Sequence, residues 1–128
     1  MRRFFFAVCL VMACATGVAA DPYENALSAL QRGDSKLAAG LLRSLAAQGD
    51  AQAQIKLGWM YEKGEGIQQD FVRSYMWYNA AATAASVAVE NLAMANRHKV
   101  ASQMTATQIE EAQKMARRCH QSKFKECD

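Results

Sequence analysis

Residues 56–70, KLGWMYEKGEGIQQD, hold three of the seven glycines of the chain within nine residues: Gly58, Gly64 and Gly66. Gly64 predicts a helix end, because glycine adopts the left-handed conformation of a helix terminus at little cost. Asp70 predicts the next helix start, because its carboxylate can accept a hydrogen bond from a free backbone N–H. Gly58 costs about 1 kcal/mol of helix propensity, so we expect it to let a neighbouring helix approach closely. The stretch predicts a helical hairpin.

A phosphate-binding loop is the alternative explanation for closely spaced glycines. Such a loop leads from a strand into a helix and usually carries a Lys-Ser or Lys-Thr pair after the glycines. Neither feature occurs around residues 56–70. The glycines are therefore interpreted as architectural.

The chain repeats itself with a period of 35 residues. This shift aligns Ser35, Asp70 and Thr105, all of which are residue types that cap helix N-termini. It also aligns small and apolar positions, namely Leu42 with Trp77 and Ala112, and Ala46 with Ala81 and Ala116. Matching caps and apolar positions predict a stack of similar helical units.

Each period contains two helical patterns. The predicted helices cover residues 23–31, 35–48, 51–63, 70–82, 86–101 and 105–119. Thr105 and Gln108 have the form of a capping box, and Pro22 is expected to precede every helix. No stretch alternates apolar and polar residues as a strand would. The predicted fold is all-α, a short α-solenoid of about three antiparallel helical hairpins.

The first twenty residues, MRRFFFAVCLVMACATGVAA, have the pattern of a secretory signal: two arginines, an apolar middle and a small-residue end. Cleavage is predicted before Asp21, which leaves a domain of residues 21–128 in the periplasm or outside the cell. Two alternatives remain open. The 17 uncharged residues 4–20 could be kept as a membrane anchor, or Cys14 could be lipidated.

Without residues 1–20 the chain keeps 13 of its 15 Lys and Arg and all 12 acidic residues, a net charge of +1. That balance, with no basic stripe interleaved with aromatic residues, does not favour nucleic-acid binding. After signal cleavage no membrane span is expected.

A dozen positions between residues 53 and 82 resemble the Sel1-like repeat, a relative of the tetratricopeptide repeat. They include Leu57-Gly58, Met60-Tyr61, Gly64, Gly66-Ile67, Asp70, Trp77-Tyr78 and Ala81-Ala82. Residues 33–54 resemble the lead-in to such a repeat, and residues 104–119 resemble its closing helix. Residues 83–103 keep Ala88 and Leu92 but lack the glycine pair, so the third hairpin is interpreted as a cap followed by a tail.

The resemblance implies a scaffold that binds other proteins and needs no cofactor. A cysteine-rich branch of the family pairs cysteines with seven residues between them in each repeat, and Cys119 and Cys127 have that spacing once. A disulfide between them is predicted, and a metal site of Cys119, His120 and Cys127 is the alternative. No motif for a catalytic serine or a zinc enzyme occurs in the sequence.

A partner-binding groove is predicted on the first helix of the second and third hairpins, on a face away from the core. Its residues are Gln52, Lys56, Trp59, Lys63, Asn91, Met94 and His98. Trp and Met are common interface anchors, and the lysines could steer an acidic partner. The alternative is that Trp59 packs against the preceding hairpin.

The sequence thus favours an exported scaffold for protein–protein interaction, a monomer or weak homo-oligomer, and not an enzyme. The alternative is a protein of the cysteine-rich type that binds or hydrolyses β-lactam or peptidoglycan-like compounds.

Overall fold

The computed structural model describes residues 20–84 and 86–128. Six helices and no strand occur in that part of the chain. They are α1 (Pro22–Gln31), α2 (Ser35–Ala47), α3 (Ala51–Lys63), α4 (Phe71–Ala81), α5 (Val87–Ala101) and α6 (Ala106–Gln121). The all-α prediction is confirmed, with helix boundaries within two residues of those expected. Pro22 is the first residue of α1 and does not precede it.

Of the six helices in the described residues, all but α5 begin at a side chain that accepts a hydrogen bond from a backbone N–H group. Asp70 caps α4 by accepting from the Arg73 N–H at 3.0 Å. Thr105 and Gln108 form the predicted capping box of α6. The prediction for Ser35 was wrong by one position. Asp34 caps α2 through the Leu37 N–H, because a carboxylate stands directly before the serine.

The hairpin of α3 and α4 depends on the absence of side chains at two glycines. A Cβ atom at Gly58 would lie 2.8 Å from two ring carbons of Tyr78 on α4. The Ser74 hydroxyl also donates a hydrogen bond of 2.7 Å to the Gly58 carbonyl. Gly64 ends α3 in the left-handed conformation, with φ 67°. The close helix approach and the helix end expected from the sequence are both confirmed.

The loop between α3 and α4 lies against the start of α2. Gly66 has φ 71°, and a methyl group on it would collide with the Ser35 carbonyl. The Ser35 hydroxyl hydrogen-bonds to Glu65 in the same loop at 2.6 Å. Ile67 then packs against the core. This loop therefore joins the first hairpin to the second.

Two groups of buried side chains form the interior. The larger group runs from Ala26 on α1 through Leu42, Leu57 and Trp77 to Cys119 on α6. The smaller group contains Tyr75, Tyr78, Val100 and Ala112. Trp77 and Tyr78 are fully buried core residues.

The third helical pair is less regular than the first two. Both α5 and α6 pack chiefly against α4, and they make few contacts with each other. Contact between α5 and α3 is also slight. The third hairpin is thus splayed over α4, and this opens a space between its helices.

Residues after α6 fold back over the earlier hairpins. Cys119 and Cys127 are buried with their sulfurs at disulfide-bonding distance. Phe124, at φ 66°, packs against the larger core group. The Asp128 carboxylate lies 3.5 Å from both Arg43 on α2 and Arg73 on α4. The tail therefore ties the last helix to the first two hairpins.

Within residues 20–84 and 86–128, no helix has the length and apolar character needed to cross a membrane. The predicted signal segment, apart from Ala20, lies outside the described residues.

Candidate functional site

A groove runs between α1, α3 and α5, with a volume of about 400 Å³. Its lining consists of Tyr23, Gln52, Ile55, Lys56, Trp59, Ala88, Val89, Leu92 and Asn96. Most of these side chains are apolar, and Lys56 is the one charged residue among them. A concave apolar surface with a few polar groups at its edge is typical of binding sites.

Trp59 forms the centre of the α3 wall. Its ring is half-buried and contacts both core groups. The Lys56 ammonium lies 5.0 Å from the centroid of the indole ring, a distance at which the cation is attracted to the ring face. The indole is thus held between the core and the lysine, and part of it remains open to the groove.

The opposite wall, on α5, exposes apolar side chains. Leu92, which lines the groove, is 52% exposed, and Val87, the residue before Ala88, is 68% exposed. In the 35-residue repeat Leu92 corresponds to Leu57, which is fully buried on α3. Ala88 corresponds to buried Ala53 but is exposed. On α5, repeat positions that would be core in a regular stack line the groove.

Three of the predicted partner-binding residues lie in the groove: Gln52, Lys56 and Trp59. Lys63 does not. It is exposed at the end of α3, and its ammonium lies 3.9 Å from the buried Glu62 carboxylate.

The predicted residues on α5 are not brought to the groove. Asn91 and His98 are exposed and Met94 is partly buried, and none of them lines it. The prediction assumed that α5 repeats the orientation of α3 after a shift of 35 residues. Because α5 packs mainly on α4, it presents a different face to α3.

Sequence reasoning also missed Tyr23 and Leu92. Tyr23 comes from the first helix, and nothing in the repeat pattern links it to Trp59. Leu92 could have been recognised, because residues 83–103 lack the glycine pair that closes a regular repeat. Without that closing turn, the apolar residues that residues 83–103 share with the repeat need not be packed against another helix.

A buried polar pair joins α3 to α4. The Tyr78 hydroxyl donates a 2.8 Å hydrogen bond to the Glu62 carboxylate, which is 4% exposed. The Lys99 ammonium on α5 lies 3.5 Å from the other carboxylate oxygen. Burial, with the hydrogen bond to Glu62 as a second cause, raises the pKa of Tyr78 well above its usual value. The pair thus connects three helices by polar contacts.

The described residues contain no group of three His, Cys, Asp and Glu side chains placed to hold a metal ion. Of the three residues of the alternative metal site, Cys119 and Cys127 have their sulfurs at disulfide-bonding distance from each other. The third, His120 on α6, lines a separate cleft.

Comparison with known proteins identifies one segment. Residues 51–86 match the family model described as the Sel1 repeat. This segment begins with α3 and α4, the hairpin closed by Gly58, Gly64 and Gly66. No match was found among curated proteins or among solved structures.

Proposed function

We propose that this chain, a protein built around a Sel1-like repeat, binds a segment of another protein in the groove between α1, α3 and α5. Sel1 repeats are typical of scaffolds for protein–protein interaction. The observation that carries the proposal is the exposure of Leu92 opposite Trp59. An apolar wall facing a half-open indole favours the burial of an apolar side chain from a partner.

The polar groups at the groove define the kind of segment that fits. Gln52 and Asn96 offer amide donors and acceptors to a peptide backbone. Lys56 supplies the one positive charge. The preferred segment therefore presents an apolar anchor, such as a leucine or aromatic residue, next to an acidic residue.

We place this interaction in the periplasm or outside the cell. The pattern of residues 1–20 supports export. The Cys119–Cys127 pair is compatible with an oxidising compartment. Binding of this kind requires no cofactor.

The experiment compares two exposed leucines. Leu92 lies in the groove and is 52% exposed, whereas Leu37 on α2 lies outside it and is 46% exposed. Wild type, Leu92→Gln and Leu37→Gln are used to capture proteins from an envelope extract, and each captured protein is purified and titrated. We expect a partner that binds wild type and Leu37→Gln with equal affinity and binds Leu92→Gln at least about tenfold more weakly.

Trp59→Ala supplies a second test of the same groove, with circular dichroism to confirm unchanged helicity. Equal affinity of the partner for wild type, Leu92→Gln and Trp59→Ala would contradict the proposal. A chromogenic β-lactam is tested in parallel. Its hydrolysis in proportion to protein concentration would favour the alternative activity.

A further inference from the structure

A second cleft opens where α5 and α6 separate above α4. Its volume is about 520 Å³. Tyr75 and Asn79 of α4 form the floor, Arg97 stands on α5, and Gln113, Arg117 and His120 stand on α6. A regular hairpin, with its two helices in contact, would fill this space.

Arg97 is held in place by neutral groups. One of its guanidinium nitrogens donates a 2.7 Å hydrogen bond to the Asn79 side-chain oxygen. The guanidinium carbon lies 5.9 Å from the centre of the Tyr75 ring, within range of a cation–π attraction. These contacts use one of the five N–H donors of the side chain and leave its charge uncompensated.

The cleft has an unbalanced charge. Arg97 and Arg117 face it together with His120, and none of the lining residues is acidic. Across the two described ranges, neither arginine forms an ion pair with a carboxylate. By contrast, Arg43 and Arg73 elsewhere in the molecule both lie near carboxylates. The cleft thus places two arginines without carboxylate partners beside the amide groups of Asn79, Gln113 and Gln121.

We infer that the cleft between α5 and α6 binds an acidic peptide segment. Guanidinium groups match the geometry of carboxylates and can form paired hydrogen bonds with them. Gln113 and Gln121 supply the donors and acceptors that a peptide backbone requires. The segment would place Glu or Asp side chains against Arg97 and Arg117 and lie over the floor of α4.

This site is separate from the apolar groove. The groove uses Ala88, Val89, Leu92 and Asn96 of α5, whereas the cleft uses Arg97 on another side of the same helix. Leu92→Gln, which changes an exposed groove residue outside both core groups, is therefore expected to leave acidic-peptide binding unchanged. The two sites can be tested independently, and failure of one leaves the other standing.

The test measures binding of a fluorescein-labelled poly-glutamate peptide by anisotropy, with a poly-glutamine peptide for comparison. We expect poly-glutamate alone to bind wild type, and Arg97→Gln/Arg117→Gln to weaken binding by about tenfold or more. The matched control is Arg32→Gln/Lys36→Gln, which removes two positive charges from exposed positions outside the cleft. This control is expected to bind like wild type.

Arg117→Glu guards against a folding artefact, because Arg117 is exposed and its replacement disturbs no core contact. It should abolish binding while circular dichroism stays unchanged. The His120 ring resonances, followed by NMR, should shift on addition of poly-glutamate to wild type.

Three outcomes would overturn the inference. The first is no binding of poly-glutamate to wild type. The second is equal loss in the cleft variant and the matched control, which would indicate a net-charge effect. The third is displacement of the His120 resonances by inorganic pyrophosphate and not by poly-glutamate, which would indicate a small-anion site.

Discussion

The Tyr78 ring lies directly over Gly58, so closely that a Cβ atom on the glycine would stand 2.8 Å from two ring carbons. Tyr78 is fully buried and holds Glu62 through its hydroxyl, so the ring cannot move aside without disturbing that bond. This contact sets the spacing of α3 and α4.

Gly58→Ala is therefore expected to destabilise the protein by about 1–3 kcal/mol, because overpacking outweighs the gain in helix propensity. Gly40→Ala is the matched control. Gly40 lies inside α2 with nothing within 4 Å of an added Cβ, so the same substitution should stabilise by up to about 1 kcal/mol. Urea denaturation of both variants measures whether each substitution lowers or raises the free energy of unfolding. Stabilisation by Gly58→Ala would contradict the close approach.

Gly66→Ala tests the contact between the α3–α4 loop and α2. Gly66 and Gly33 both have positive φ, at 71° and 80°, so alanine strains the backbone at either position by about 1 kcal/mol. Only at Gly66 does the added methyl also meet the Ser35 carbonyl. We expect Gly66→Ala to lower the free energy of unfolding by at least about 1 kcal/mol more than Gly33→Ala. Equal losses of stability in urea denaturation would contradict a close contact between Gly66 and the Ser35 carbonyl.

Reduction of the Cys119–Cys127 pair should destabilise the protein by about 2–3 kcal/mol, because the bond restricts the unfolded chain. For a domain of this size the thermal midpoint should fall on the order of 10 °C. Cys119→Ala/Cys127→Ala serves as the control, since reductant should not change its midpoint. A wild-type midpoint that is insensitive to reductant, with both thiols alkylated in the native state, would argue against the bond.

Stability should fall at alkaline pH in part through Tyr78. Burial raises the pKa of Tyr78 in the folded protein above the ordinary value of 10.0. At pH values between the ordinary pKa and the raised pKa, Tyr78 has lost its proton in the unfolded chain and keeps it in the folded protein. The free energy of unfolding therefore decreases as pH rises. The contribution of Tyr78 is complete below pH 10.0 and declines above it.

Urea denaturation at several pH values above 10.0 measures this slope for wild type and Tyr78→Phe. The variant loses the hydrogen bond to Glu62, so it starts less stable, but its slope should be shallower. Burial also raises the pKa of Tyr23 and Tyr61, and their contribution remains in both proteins. Identical slopes would show that Tyr78 does not titrate as expected.

Local signals made much of the fold predictable. The Thr105–Gln108 box and the Asp70 cap act within one helical turn, and both formed as expected. Gly64 ended α3 for the same kind of reason. The Ser35 prediction failed because the repeat alignment favoured a serine over the neighbouring Asp34, the stronger acceptor.

The sites were harder to predict because they depend on how helices pack. The orientation of α5 is set by α4, so Leu92 faces the groove where Asn91 and Met94 were expected. The cleft at Arg97 exists because α5 and α6 are separated above α4. A repeat period in the sequence gives the order of the helices but not the distance between them. Contact of Asp128 with Arg43 joins residues far apart in the chain, which a pattern of local repeats does not reveal.

That last contact changes how the array should come apart. Stacked repeats usually contact only their neighbours and can unzip from either end. Here the Asp128 carboxylate lies 3.5 Å from Arg43 on α2, and Phe124 and Cys127 belong to the same core group as Ala26 and Ala38 of the first hairpin. The tail after α6 is therefore attached to the first hairpin. If either the tail or the first hairpin unfolds, the other loses part of its packing. We therefore expect the protein to unfold in a single cooperative step.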